Sequence, residues 1–258
     1  MPSSQARSPP SITNLPSEII LQIFESAPDF SVVNALARTA RPLNSTYVAG
    51  SPAIFHAVAS RILPEFPFAE QLVDAQEAAY DASPSLSEDP QNTPSRNERL
   101  LSNARCAAVA STKFAAECKI HLFTRARGEE NPAFRPSERA RFKKSFYQLW
   151  TLCTIANTPS LRPSAPGYLD MRNPIELAGL DEVTTWARGY NQNKFVDFDF
   201  SDSTWDAGFD MVKEYCSWER KEKSGHKRIH IYSDEAPFGF WVFFDHTQKY
   251  LQQIEAHW

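Results

Sequence analysis

Glycine is scarce in this chain: 8 of 258 residues, about 3% against an average near 7%. Phosphate-cradling and nucleophile-presenting loops need glycines at fixed offsets. No Gly-x-x-x-x-Gly-Lys, Gly-x-Gly-x-x-Gly or Gly-x-Ser-x-Gly occurs, so nucleotide-binding loops and the hydrolase elbow have no sequence support. Cysteine is limited to Cys106, Cys118, Cys153 and Cys216, with no Cys-x-x-Cys pair. Each lies in an apolar or helical-looking stretch, where a reduced thiol packs as a small hydrophobe. No run approaches the roughly 18 consecutive apolar residues of a membrane span. The opening MPSSQARSPPS also lacks the apolar core of a secretory signal, so the expected compartment is cytoplasmic and/or nuclear. Repeats are absent as well, which removes propellers and leucine-rich solenoids.

What the chain does have is proline, 19 residues, marking connections between helices. The formal charge is -4 overall but unevenly distributed. Residues 59–95 and 168–258 each carry -6, and 96–150 between them carries +7. A basic middle between acidic flanks predicts internal ion pairing, and no unneutralised field of the kind that nucleic acid needs. Arg139, Arg141, Lys143 and Lys144 are therefore expected to meet acidic partners within the chain.

The fold class expected is mainly α. Residues 1–11 are Ser/Pro-rich and read as a disordered N-terminus. In 66–81, Phe68, Leu72, Ala75 and Ala79 share a helical face; in 98–123, Leu101, Ala108, Phe114, Cys118 and Leu122 do. Between them 83–97 repeats the loop composition. The clearest helix of the middle region, Pro136 to Ala156, places Phe142, Phe146, Leu149 and Cys153 at helical intervals. After a proline-rich connection at 159–174 come helical patterns at 174–190 and about 205–221. The β-prone runs 228–232 and 240–244, separated by a Pro/Gly-bearing turn, suggest a small C-terminal hairpin. The domain expectation is 12–60 as an N-terminal module, 61–167 as a helical middle region, and 168–258 as a mixed helical and aromatic region.

Several constellations carry little chemistry. His226 and His230 lie in a strand-like pattern, where residues four apart are about 13 Å apart, too far to share a metal. Asp197, Asp199, Asp202, Asp206 and Asp210, with Phe195, Phe198 and Phe200 interleaved, lack the spacing and glycine of a calcium loop and read as a solvated acidic face. Phe238, Phe240, Trp241, Phe243 and Phe244 read as core in preference to a substrate groove. No metal, cofactor or catalytic residue is expected, and the chain is not expected to be an enzyme.

The N-terminal module is the informative part. Pro16 suits a first helical turn, and Glu18 puts a carboxylate at the positive helix end. Ile19 with Ile23, and Ile20 with Phe24, form two adjacent i, i+4 pairs, a stripe too broad for one neighbouring helix. Ser31 is expected to cap a second helix carrying Val32, Leu36, Ala40, Leu43 and Tyr47, bent at Pro42 and ending at Gly50. Pro52 is expected to start a third with Ile54, Ala57, Val58 and Ile62.

The string Leu15-Pro16-x-Glu18-Ile19-x-x-x-Ile23-Phe24, with Leu36-Ala37-Arg38-Thr39 and Ile54 to Val58 following, resembles an F-box, particularly that of fungal F-box proteins. Ser137 to Trp150 and Pro237 to Asp245 also look like the middle and C-terminal segments of large fungal F-box proteins. The resemblance implies a three-helix F-box that docks on the Skp-family adaptor and, through it, on the cullin of an SCF-type ubiquitin ligase. The rest of the chain would then recruit an unknown protein substrate. By position the adaptor-facing residues would be Leu15, Pro16, Ile19, Ile20, Ile23 and Phe24, with Val32, Val33 and Leu36 supporting. No nucleic-acid or membrane partner is expected. The alternative is a non-catalytic interaction protein whose F-box-like helices only cap its own helical body.

Overall fold

The computed structural model describes residues 12–82, 94–118, 134–191, 202–216 and 242–245. These fall into two compact units, Met1–Pro67 and Phe68–Trp258. Among the described residues there are nine α-helices and no strand. The expected hairpin falls mostly outside them, as do residues 1–11 and most of 83–97; Val242–Phe244, the described part of its second run, form a turn and not a strand.

The first unit opens with a 3-10 turn, Ile12–Asn14, followed by α1 (Ser17–Glu25), α2 (Phe30–Thr39) and α3 (Arg41–Ile62). Pro16 occupies the N-cap of α1, and Glu18 lies in its first turn. The cap of α2 is Asp29, not Ser31. Its carboxylate accepts the backbone N–H of Ser31 at 2.8 Å and of Val32 at 3.0 Å, and the Ser31 hydroxyl donates to it at 2.6 Å. Those bonds hold the Asp29 carboxyl below its ordinary range, the Ser31 hydroxyl first and the Val32 N–H next.

The second and third helices divide elsewhere than the proline pattern suggests. The break falls at Ala40, which is extended, and Pro42 sits in the first turn of α3, where its missing N–H has no helical partner to lose. The helix then runs through Gly50 and Pro52 to Ile62. Pro52 removes one hydrogen bond to the carbonyl of Val48, but both residues are exposed, so water reaches that carbonyl. Leu43, Ile54 and Val58 are buried on either side and hold the helix across the interruption.

The core of this unit is made of Ile20, Phe24, Ala27, Val33, Ala37, Leu43, Ile54 and Val58, all within residues 20–58. Phe24 lies 6.0 Å from Tyr47, and Phe30 lies 5.1 Å from Phe55, ring to ring. Gly50 leaves space that the Leu21 side chain fills, so α1 and α3 approach closely. Arg61 reaches back from the end of α3 to donate to the carbonyls of Ala27 and, at 2.7 Å, Glu25. These are carbonyls that the end of a helix leaves unpaired.

The second unit holds α4 (Phe66–Ala82) from Phe68 onward, then α5 (Arg96–Cys118), α6 (Pro136–Asn157), a 3-10 turn at Arg162–Ser164, α7 (Ala165–Asp170), α8 (Pro174–Asn191) and α9 (Asp202–Cys216). Its centre is α6, which packs against α5, α7, α8 and α9. This position explains why residues on every side of α6 are buried, among them Phe142, Phe146, Leu149 and Cys153. The α5 stripe differs by one residue from the sequence reading. Leu100 and Ala107 face inward where Leu101 and Ala108, which face water, were expected, while Phe114 faces inward as expected. Phe114 stacks on Phe142 at 4.4 Å and meets Trp186 and Phe243 edge-on at 5.6 Å each.

The predicted internal charge pairing is present. Arg96 bridges Asp74 at 2.7 Å and Glu77 at 2.6 Å, Lys144 meets Glu176 at 2.8 Å, and Arg141 meets Asp245. Each pair joins the basic middle to an acidic flank. Two further pairs, Lys213 with Asp181 at 2.8 Å and Arg188 with Asp210, join α8 to α9.

Candidate docking surface

The two apolar pairs of α1 point in different directions. Ile20 and Phe24 face inward and are almost completely buried, and Val33 joins them from α2. Ile19 faces outward, with 41% of its surface exposed, beside Leu15 at 40% and Ile12 at 38%. Pro16 is exposed, and Ile23 is half-buried on the same side as Ile19, one turn on. Val32 and Leu36 pack half-buried at the margin of the core.

Of the nine residues expected to face an adaptor, the structure therefore brings four, Leu15, Pro16, Ile19 and Ile23, to an accessible apolar edge. Ile20, Phe24 and Val33 are core, and they shape that edge from beneath. The physical reason is the helical period: residues i and i+1 stand about 100° apart, so two adjacent pairs cannot share one side. Ile12 was missed. It lies in the lead-in turn, whose register is held by Leu15 N–H donating to the Ile12 carbonyl at 3.2 Å. Its signal was its place three residues before Leu15.

The edge is chemically simple. Glu18 is the one ionisable side chain between Ile12 and Phe24. No nucleophile or acid–base pair lies there, so what this surface can do is exclude water against a complementary apolar partner. Scattered exposed hydrophobes are ordinary; four within eight residues around one helix start, Ile12, Leu15, Pro16 and Ile19, form a patch.

The other candidates resolve differently. Phe243 and Phe244 are buried, as core aromatics are, whereas Phe238, Phe240 and Trp241 lie outside the described residues. So do Phe195, Asp197, Phe198, Asp199, Phe200, His226 and His230. Asp206 and Asp210 are on α9, and Asp210 is paired with Arg188. Burial pushes the thiols of Cys153 and Cys106 up, away from the reactive thiolate. Among the described residues no group of three or more His, Cys, Asp or Glu is placed to hold a metal, and no helix is long and apolar enough to cross a membrane.

No protein-family model matches the chain, and a search of curated proteins and of solved structures finds no significant match.

Proposed function

We propose that this protein is an F-box substrate-recruiting subunit of an SCF-type ubiquitin ligase, docking on the Skp-family adaptor through Ile12, Leu15, Pro16, Ile19 and Ile23. The observation that carries the reading is the exposed apolar edge standing on a core that closes within residues 20–58. A helical module with its own core and an unfilled apolar margin is built like the fixed half of a helix-in-groove contact. The F-box resemblance of the same residues supplies the partner.

In this role the protein performs no bond chemistry. It holds an acceptor lysine of a protein substrate near a charged ubiquitin carrier, and the gain in effective concentration supplies the rate. The second unit is then the substrate-facing part.

The test is co-purification. Tagged wild-type protein is compared with a Leu15→Asp, Ile19→Asp double variant, both checked by circular dichroism. Both substitutions lie on the exposed edge and leave the core intact. The expected outcome is adaptor and cullin with the wild type and neither with the variant. Absence of the adaptor from the wild type overturns the ligase reading and leaves the alternative of a capping module on a non-catalytic interaction protein.

A further inference from the structure

The segment Val242–Asp245 is held in the second unit by side chains that read a peptide backbone. Glu182 of α8, 2% exposed, accepts the N–H of Val242 on both carboxylate oxygens, at 3.1 and 3.2 Å. Glu138 of α6, 0% exposed, accepts the N–H of Asp245 at 3.1 Å. Arg141 Nε donates to the carbonyl of Phe243 at 2.8 Å.

The side chains of the segment are read as well. The Phe243 ring enters the cluster of Phe114 and Phe142, at 5.6 and 5.7 Å, and Phe244 meets Phe134 at 6.1 Å. The Asp245 carboxylate receives Arg141, the Ser137 hydroxyl at 2.9 Å and Arg135 at 3.4 Å. Backbone polarity, an aromatic pair and the acid that follows it are all recognised, over sequence separations of 60 to 110 residues.

Glu138 also accepts the Arg135 N–H at 2.9 Å at the start of α6, whereas the place of Glu182 could be filled by an apolar residue without burying a polar group. Placed against the backbone N–H groups of Val242 and Asp245, the two carboxylates select a peptide that makes the turn this segment makes. The rim also permits exchange. Arg135 has 51% of its side chain exposed, and Arg141 and Asp245 about a quarter each, so another carboxylate can approach the same cations from solvent.

We propose that the cleft framed by Phe114, Glu138, Arg141 and Glu182 is a peptide-recognition groove, occupied in cis by Val242–Asp245, that receives in trans a peptide carrying two consecutive aromatic residues followed by a carboxylate. The proposal stands apart from the ligase reading, because it rests on the second unit alone. A groove filled by its own chain binds an outside peptide weakly until that occupant is loosened.

Two measurements on the full chain test this. The first is anisotropy of a fluorescein-labelled peptide with the sequence of residues 238–248, against wild type and an Asp245→Ala variant that keeps Phe243 in place. The expected result is binding at least about tenfold tighter to the variant, because the competent fraction rises. A control peptide carrying F243A and D245K is expected not to bind. A folded Asp245→Ala chain that fails to bind the peptide, or that binds both peptides alike, overturns the proposal. The second is hydrogen exchange in the wild type. The amides of Val242 and Asp245 are expected to exchange at least about tenfold faster than those of Leu149 and Leu152, through local opening. Exchange of all four only on global unfolding makes the segment a permanent strap and overturns the proposal without recourse to any variant.

Discussion

A methyl group built on Gly208 of α9 stands 2.8 Å from the Cα of Cys153 in α6. Backbone cannot yield there as the tip of a side chain can, so the two helices touch along a line that only glycine permits. Gly208→Ala is expected to lower stability by about 1–3 kcal/mol through overpacking, of which better helix propensity offsets up to ~1 kcal/mol. Gly167 in α7 is the control, because nothing lies within 4 Å of the position its Cβ would take. Gly167→Ala is expected to be neutral or stabilising by about 0.4–1 kcal/mol. Urea midpoints of the two variants, moving in the same direction, would contradict this packing.

The same contact makes Cys153 chemically silent. It is buried, its thiol hydrogen is directed at the Trp205 carbonyl at 3.7 Å, and burial followed by the Asp206 charge pushes its pKa well up. Native protein treated with a maleimide is expected to leave Cys153 unlabelled, and denatured protein to label it fully. Peptide mass mapping reads the difference. Labelling of Cys153 under native conditions would show that α6 and α9 separate readily.

In the first unit, burial separates binding from stability. Phe24→Ala removes a ring with no exposed surface from the shared core and is expected to cost about 3–5 kcal/mol. Ile19→Asp replaces an exposed side chain in the first turn of α1, where a carboxylate suits the helix end, and is expected to change stability by less than about 0.5 kcal/mol. Far-ultraviolet melting distinguishes them. Equal losses would mean that Ile19 is held in a way its exposure does not reveal.

Much of this was legible in the sequence, for reasons that can be located. Periodicity exposed α1, α6, α8 and the existence of α9, because their inward residues recur at 3.6. Segment charge foretold the pairing of Arg96 with Asp74 and of Lys144 with Glu176, because opposite blocks need only come near each other. Proline misled at Pro42 and Pro52, since its effect depends on whether it falls in a first turn or on a solvent-facing side, which the packing of Leu43 and Ile54 decides. The docking edge was half legible. Adjacent apolar pairs reveal breadth, but not which pair turns outward. The roles of Glu138 and Glu182 were hidden, since a carboxylate that binds distant backbone N–H groups looks in sequence like any surface acid.

Acid is expected to weaken the second unit through named carboxylates. Burial raises the pKa of Asp245, but hydrogen bonds from Arg141 and Ser137 outweigh it, and the group ends below its ordinary 3.8. Glu176 follows the same pattern below 4.5, burial being overcome by Lys144 and the Asn173 N–H. Depressed acids contribute stability that is complete above the unfolded-state pKa and lost as pH falls through the folded-state value. Stability is thus expected to be flat from about pH 5 to neutrality and to fall below about pH 4. A Glu176→Gln, Asp245→Asn variant is expected to show a shallower fall in urea midpoint over that range, and an unchanged slope would remove both groups from the account.

Alkali acts through a different residue. Tyr168 of α7 is buried, and its hydroxyl donates to the Gln148 carbonyl at 3.2 Å. Burial pushes the phenol up to about 12, although the nearby Arg172 charge and a hydrogen bond with Thr151 pull the other way. The folded state therefore keeps this proton to higher pH than the unfolded chain, where the value is about 10. The stabilisation is complete below pH 10 and is lost as pH rises from there through 12. A two-unit difference corresponds to about 2–3 kcal/mol. Tyr168→Phe forfeits the hydrogen bond at neutral pH, about 1 kcal/mol, but removes the ionisable group. Its urea midpoint is expected to decline less steeply than that of the wild type above pH 10. Parallel declines in the two proteins would mean that Tyr168 ionises no differently in the folded and unfolded chains.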